Sequence, residues 1–288
     1  MTKFGIQLPI FDPLATGTPR PVVAAARLME EHGFDQIWSG DHLWCPAPNL
    51  DALTAMAAAA AVTERIALGF SVLLLGLHHT PWTAKQLTTI DQLSGGRELT
   101  LGVGVGGEFE REFELAGVPL KRRGRALDEA LDRLPALLRE ELQPPISQLP
   151  KIYAGGRGEP AITRAASRGE GWMPIWVSPQ RIAAGRAQLH ELAAQQGRPA
   201  PQVALVLGAA VDEDETRALA EADRYARGQY GMPYAQVAKY NPAGSPARVA
   251  EYIATQIEAG VDEFVLMPMG ADPLVQIERL AEVRALLG

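Results

Sequence analysis

Eight times along the chain a strand-like run gives way to a helix-like one, and this alternation limits the fold more than any composition figure. "KFGIQL" reads as the first strand, and "RPVVAAARLMEEHG" as a helix with Val22, Ala25, Ala26 and Met29 on one face and Gly33 as its stop. "FDQIWS", "RIALGFSVLLL" and "ELTLGVGV" follow as strands two to four, separated by the helices "DALTAMAAAAAV" and "PWTAKQLTTIDQLSGG". A long helical region is expected from Glu108 to Glu141, kinked or divided at Pro135. After the loop "QPPISQLP" the pattern resumes with strands "KIYAGG", "GWMPIW", "QVALVLGAAV" and "DEFVLMP". Ser245 and Pro246 have the character of an N-cap and first helical residue, ahead of the stripe Val249, Ile253 and Ile257. "VALVL" and "SVLLL" are apolar throughout, as strands buried on both faces are, which favours a parallel sheet covered by helices. Eight such units in 288 residues predict an α/β chain folded as one (β/α)8 TIM barrel over residues 1–288. A doubly wound sheet is the rival, and no linker marks a domain boundary.

Apolar residues make up 47% of the chain, enough for a large core without covalent staples. Cys45 is the only cysteine, so no disulfide can form within one chain, which suits a reducing cytoplasm. The start, "MTKFGIQLPIF", lacks the pattern of a secretory signal, and the longest apolar runs fall far short of the roughly 20 residues that span a bilayer. With a net charge of −7 and no basic tract, neither a nucleic acid nor a membrane is an expected partner; a small-molecule substrate is.

In a barrel of this kind the chemistry lies at the C-terminal strand ends, and the unusual residues collect there. Strand two runs into Asp41 and His42, with Trp44 just beyond. His42 can act as a general acid or base, oriented or charged by Asp41, or can be a structural loop histidine. His42 with Cys45, or His78 with His79, could supply metal ligands, but no spacing repeats as in a metal site and no metal is expected; His78 and His79 read as an exposed loop pair. "GVGVGG" formally matches G-x-G-x-x-G at Gly102, Gly104 and Gly107, yet the long helical region that follows does not fit a dinucleotide-binding unit. Those glycines either let something flat lie against the backbone or serve tight packing. "YAGGRGEPA" sets Gly155, Gly156 and Arg157 before a helix start, an arrangement suited to a phosphate.

In order along nearly the whole chain, "GFDQIWSGDH", "RIALGFSVLLLGLHHTPWTAKQLTTIDQLSGGR", "LGVGVGGEFEREFELAGVP", "YAGGRGEPAITRAASRGEGW" and "GSPARVAEYIATQIEAGVDEFVLMP" resemble the luciferase-like flavin- and deazaflavin-dependent oxidoreductases, a (β/α)8 superfamily. The resemblance implies a flavin-type ring at the barrel mouth, either coenzyme F420 or FMN. It implies His42 beside the reactive carbon of the ring, with Asp41 tuning it. It implies a non-proline cis peptide at Ser71–Val72, Gly104, Gly106 and Gly107 along the ring, and Gly155, Gly156 and Arg157 near its phosphate. Gln7, Trp44, Glu108 and Trp176 are the residues expected at the substrate. The Asp-His pair and the short chain favour hydride transfer with F420. An FMN-dependent monooxygenase fed by a separate reductase is the alternative, and a flavin-binding barrel without turnover or a flavin-free lyase or isomerase are rivals of other classes. Sugar-phosphate dehydrogenases of the group carry an acid after strand one, where this chain has Gln7 and Pro9, and their mechanistic tryptophan lies four residues past the histidine, where Trp44 is two past His42. Glu108, Glu110 and Glu112 all crowd the place where they keep a further acid. Loops such as "NLDAL" and "YGMPYAQVAKYNP" should shape the substrate pocket, and relatives that form dimers suggest a homodimer.

Overall fold

A computed structural model describes residues 2–18 and 20–288. Eight parallel strands form its centre: β1 (Lys3–Gln7), β2 (Gln36–Ser39), β3 (Ala67–Leu73), β4 (Leu99–Val103), β5 (Lys151–Gly155), β6 (Gly171–Met173), β7 (Gln202–Val211) and β9 (Glu263–Pro268). Each pairs with its neighbour in the order β6-β5-β4-β3-β2-β1-β9-β7, and a further β6–β7 pairing closes the barrel. The two-residue strand β8 (Ala243–Gly244) adds to the far end of β7. The closure is thin: β6 meets β7 at Gly171–Gln202 and Trp172–Val203, with one isolated bridge from Ile175 to Val206. By contrast β7 runs beside β9 from Ala204 to Ala209.

The continuous apolar runs have the expected cause. Consecutive side chains leave a strand on opposite faces, and here both faces are covered. Ile37 and Leu205 join the layer shared with the helices, while Trp38 and Val206 join the barrel interior with Tyr153, Met173, Val265 and Met267. Trp38 fills so much of the interior that a Cβ on Gly5 or Gly69 would come within 2.4 or 2.5 Å of its indole.

Ten helices surround the strands: α1 (Val22–Glu31), α2 (Ala52–Val62), α3 (Thr80–Ser94), α4 (Glu110–Ala116), α5 (Arg123–Ala136), α6 (Glu159–Arg168), α7 (Pro179–Gln195), α8 (Glu215–Tyr230), α9 (Pro246–Glu258) and α10 (Pro273–Ala285). Ser245 caps α9 through the Arg248 amide, with Pro246 in the first turn, as the sequence suggested. The region from Glu108 to Glu141 differs from expectation. It divides at Gly117, which takes a left-handed φ of 68° and is followed by Pro119, and not at Pro135. Pro135 lies inside α5, and a π-helical turn over Leu137–Glu141 carries the chain onward. Strand six is also shorter than "GWMPIW": Pro174 has no amide to donate, and the ladder ends at Met173. Among the described residues no helix is long and apolar enough to cross a membrane.

At the N-terminal end of the barrel Glu263 is 2% exposed and its Oε1 has no partner among the described residues. Burial pushes its carboxyl up to about 7, against the pull of Lys3 and Lys151.

Candidate active site

A cleft of about 400 Å³ opens at the C-terminal ends of the strands. It joins residues far apart in sequence: Gln7 at the end of β1, His42 after β2, Ser71 and Val72 on β3, Gly104 to Glu108 after β4, Gly155 to Arg157 at and after the end of β5, Trp176 after β6, and Tyr225, Gln229 and Tyr230 on α8. Of the residues expected in catalysis, at the cofactor or at the substrate, all but Trp44 line it. Trp44 packs edge-on against Phe109 at 5.9 Å and under the Arg111 guanidinium at 5.4 Å, one layer behind the cleft wall.

His42 is held from three sides. Phe11 and Phe109 present their edges to the imidazole at 6.0 and 5.3 Å. Its Nδ1 lies 3.1 Å from Glu112 Oε2, and Glu112 is 0% exposed. A carboxylate can only accept, so Nδ1 donates, and in the neutral ring Nε2 carries the lone pair. The other carboxylate oxygen, Oε1, has no partner among the described residues. Of the three clustered acids, then, Glu112 meets the histidine, Glu108 stands on the rim, and Glu110 does neither.

The expected Asp41–His42 pair is not formed. Asp41 Oδ2 accepts the Leu74 amide at 2.9 Å and binds His78 Nε2 at 2.7 Å. Side chains that are neighbours on a strand end leave in different directions, so Asp41 braces the loop after β3 while His42 faces the cleft. His78 is correspondingly half-buried and not a free loop histidine. Burial works against its charge, but the hydrogen bond and charge of Asp41 prevail and raise its pKa. Cys45 donates to the Ala47 carbonyl, and burial pushes its thiol up to about 11.

The cleft floor is built around Val72. The Ser71–Val72 peptide is cis, and the Gln7 amide donates to Ser71 O at 3.3 Å and to Ser71 Oγ at 3.2 Å. A Cβ on Gly104 would lie 2.4 Å from Val72 Cγ2, and one on Gly155 2.6 Å from Val72 Cγ1. Both glycines are thus required by packing on Val72, and the same bareness leaves smooth backbone on either side of it. Arg157 makes no ion pair among the described residues; its guanidinium sits 5.8 Å over the Trp176 ring. Helix α6 behind it starts at Gly158 with no side-chain cap, although Pro160 removes one of its first amides.

Trp176 holds a left-handed φ of 53°, rare for a bulky residue. Its ring meets Tyr230 edge-on at 4.9 Å. This wall was the part least visible in the sequence. Tyr230 begins the quoted loop "YGMPYAQVAKYNP", but Tyr225 and Gln229 lie within α8, and their spacing of one turn was the available signal. "NLDAL" plays a supporting part: Asn49 donates to the His42 carbonyl at 2.7 Å, and Asp51 caps α2.

A family model described as luciferase-like monooxygenase matches residues 2–263. The fold is similar to that of an F420-dependent secondary alcohol dehydrogenase in complex with an F420-acetone adduct, with a TM-score of 0.84 at 18% identity over 100% of this chain and 99% of that one. It is similar to the monooxygenase RslO1 from Streptomyces bottropensis, with a TM-score of 0.83 at 20% identity over 99% of each chain. In sequence, 131 residues are 40% identical to an F420-dependent glucose-6-phosphate dehydrogenase of Beutenbergia cavernae, covering 41% of this chain and 37% of that protein. The chain spans about half the length of the curated relatives it matches.

Proposed function

Since the chain belongs to the luciferase-like monooxygenase family, we propose that it is an oxidoreductase moving a hydride between coenzyme F420 and a small organic substrate. The observation that carries this reading is His42, an imidazole on the cleft wall whose Nδ1 is committed to a buried carboxylate. That arrangement fixes the ring and its tautomer and leaves Nε2 as the group that exchanges a proton.

The residues present fit such a cofactor. Val72 with the bare backbone at Gly104 and Gly155 would hold a flat ring, and Arg157 with Gly156 would meet a phosphate. F420, when bound, supplies hydride transfer. The chain's own residues do the rest. For an alcohol substrate the Nε2 lone pair would take the hydroxyl proton; for a carbonyl the ring would start as the imidazolium, with Glu112 balancing its charge, and Nε2 would give its proton to the oxygen. Glu112 orients the imidazole, and Phe11, Phe109 and Tyr230 keep water from the reacting pair. The reading is supported by the fold shared with an F420-dependent alcohol dehydrogenase. It includes a cytoplasmic setting and a separate reductase that renews the cofactor.

The second reading, an FMN-dependent monooxygenase, is favoured by the family's description and by the likeness to RslO1. Titration of the purified protein with F420 and with FMN separates the two. Saturable F420 binding without FMN binding is expected; tight FMN binding with no affinity for F420 overturns the first reading.

A further inference from the structure

Where α8 lines it, the cleft changes character. Tyr225 and Gln229 sit one turn apart on α8, with Tyr230 next to them and Trp176 against Tyr230. Gln229 is 5% exposed, yet its Oε1 has no partner among the described residues, and neither has Trp176 Nε1. The Tyr230 hydroxyl meets only Met267 Sδ, a weak acceptor, at 3.7 Å. Burial pushes the Tyr225 phenol up to about 12 and that of Tyr230 well above its ordinary value, so both stay neutral. Ile175 and Val206 complete the wall. Buried polar groups in a folded protein are nearly always satisfied. Here an acceptor and a donor, both neutral, lie buried and unpartnered in two side chains that line the cleft.

The charges that line the cleft do not favour an anion, and Glu108 adds a carboxylate at the rim with no ion-pair partner among the described residues. Asp41 binds His78 and the Leu74 amide. Arg157 is the one lysine or arginine among the described residues that line the cleft. An anionic substrate group seated on the α8 wall would lose its water and gain no counter-charge.

We infer that the substrate is an uncharged, largely apolar molecule bearing at least one hydroxyl or carbonyl, seated against Trp176, Gln229 and Tyr230, and is neither a phosphorylated sugar nor a carboxylate. The inference rests on the proposed function in one respect, that Arg157 serves the cofactor's phosphate.

The test is a matched series sharing one ring system: 2-naphthol, 2-naphthoate and 2-naphthyl phosphate, each titrated calorimetrically. One arm uses protein saturated with whichever of F420 or FMN it binds. The other uses cofactor-free Arg157→Gln protein, in which the cation is gone. In both arms 2-naphthol is expected to bind at least about tenfold more tightly than either anion. Gln229→Leu is expected to weaken 2-naphthol about fivefold while its Tm holds or rises, because an unpartnered buried amide has been removed. Either anion binding as well as 2-naphthol, no binding of 2-naphthol, or unchanged affinity in Gln229→Leu overturns the inference. If neither cofactor binds but 2-naphthol still ranks first in the Arg157→Gln arm, the cofactor reading fails and the substrate class stands.

Discussion

A histidine can exchange a proton usefully only if its ring keeps one orientation and one tautomer. His42 obtains both from Glu112, 70 residues further along the chain. His42→Ala is expected to lower kcat/KM by about 10²-fold or more, with cofactor affinity retained. Glu112→Gln should lower kcat by about tenfold while KM holds, because an amide can offer its NH2 to Nδ1 and invert the tautomer. Steady-state rates across both variants check this, and a Glu112→Gln enzyme as fast as the wild type removes the positioning role. The two halves of the pair were unequally legible. An Asp-His step directly after a buried strand stands out in any reading of the chain. Its partner does not, because Glu108, Glu110 and Glu112 are equivalent in composition and only the placement of α4 decides which one turns inward. Asp41 misled for the same reason: adjacency along the backbone says nothing about where two side chains end up.

At the scale of elements, β3, β4 and β5 meet around one side chain. Gly155→Ala should destabilise the fold by about 1–3 kcal/mol, since its Cβ would press on Val72 Cγ1 and on the Val103 carbonyl. Val72→Ala in the same chain should return most of that loss, and a double-mutant cycle in urea measures the coupling. Simple addition of the two effects would show that the glycine answers to something else. The strands and most helices were readable because hydrophobic period and caps agree locally, as at Ser245 and Pro246. The break at Gly117 was not, since a glycine followed by Val118 and Pro119 within a helical pattern competes with Pro135 for the same role. Which proline a helix tolerates depends on the turn after it, here a π turn that no periodicity announces.

For the molecule as a whole, closing the ring of strands leaves one acid in an apolar place. Glu263 titrates near 7 when folded, against about 4.5 when free. The folded state therefore binds the proton more tightly than the unfolded chain does. Stability is greatest below the unfolded value, falls as pH rises toward 7, and levels off above it. The loss is on the order of 3 kcal/mol. Glu263→Gln should be more stable than the parent at pH 8 and nearly equal to it at pH 4.5, as Tm measured at both values would reveal. A gap that does not change with pH contradicts the assignment. That the barrel closes was foreseeable from eight units in one chain; how firmly each joint is made was not.

The weakest joint is the short stave Gly171–Met173, held to β7 at little more than Gly171 and Trp172. A cask leaks where one board is fastened by two nails. Trp176 follows this board directly, so the cleft wall that it forms with Tyr230 hangs on the least-fastened strand. Hydrogen exchange read by mass spectrometry should find the amides of residues 171–177 among the first barrel positions to take up deuterium, well ahead of β1 and β9. Slow exchange there would mean that the joint is held by more than its two paired positions.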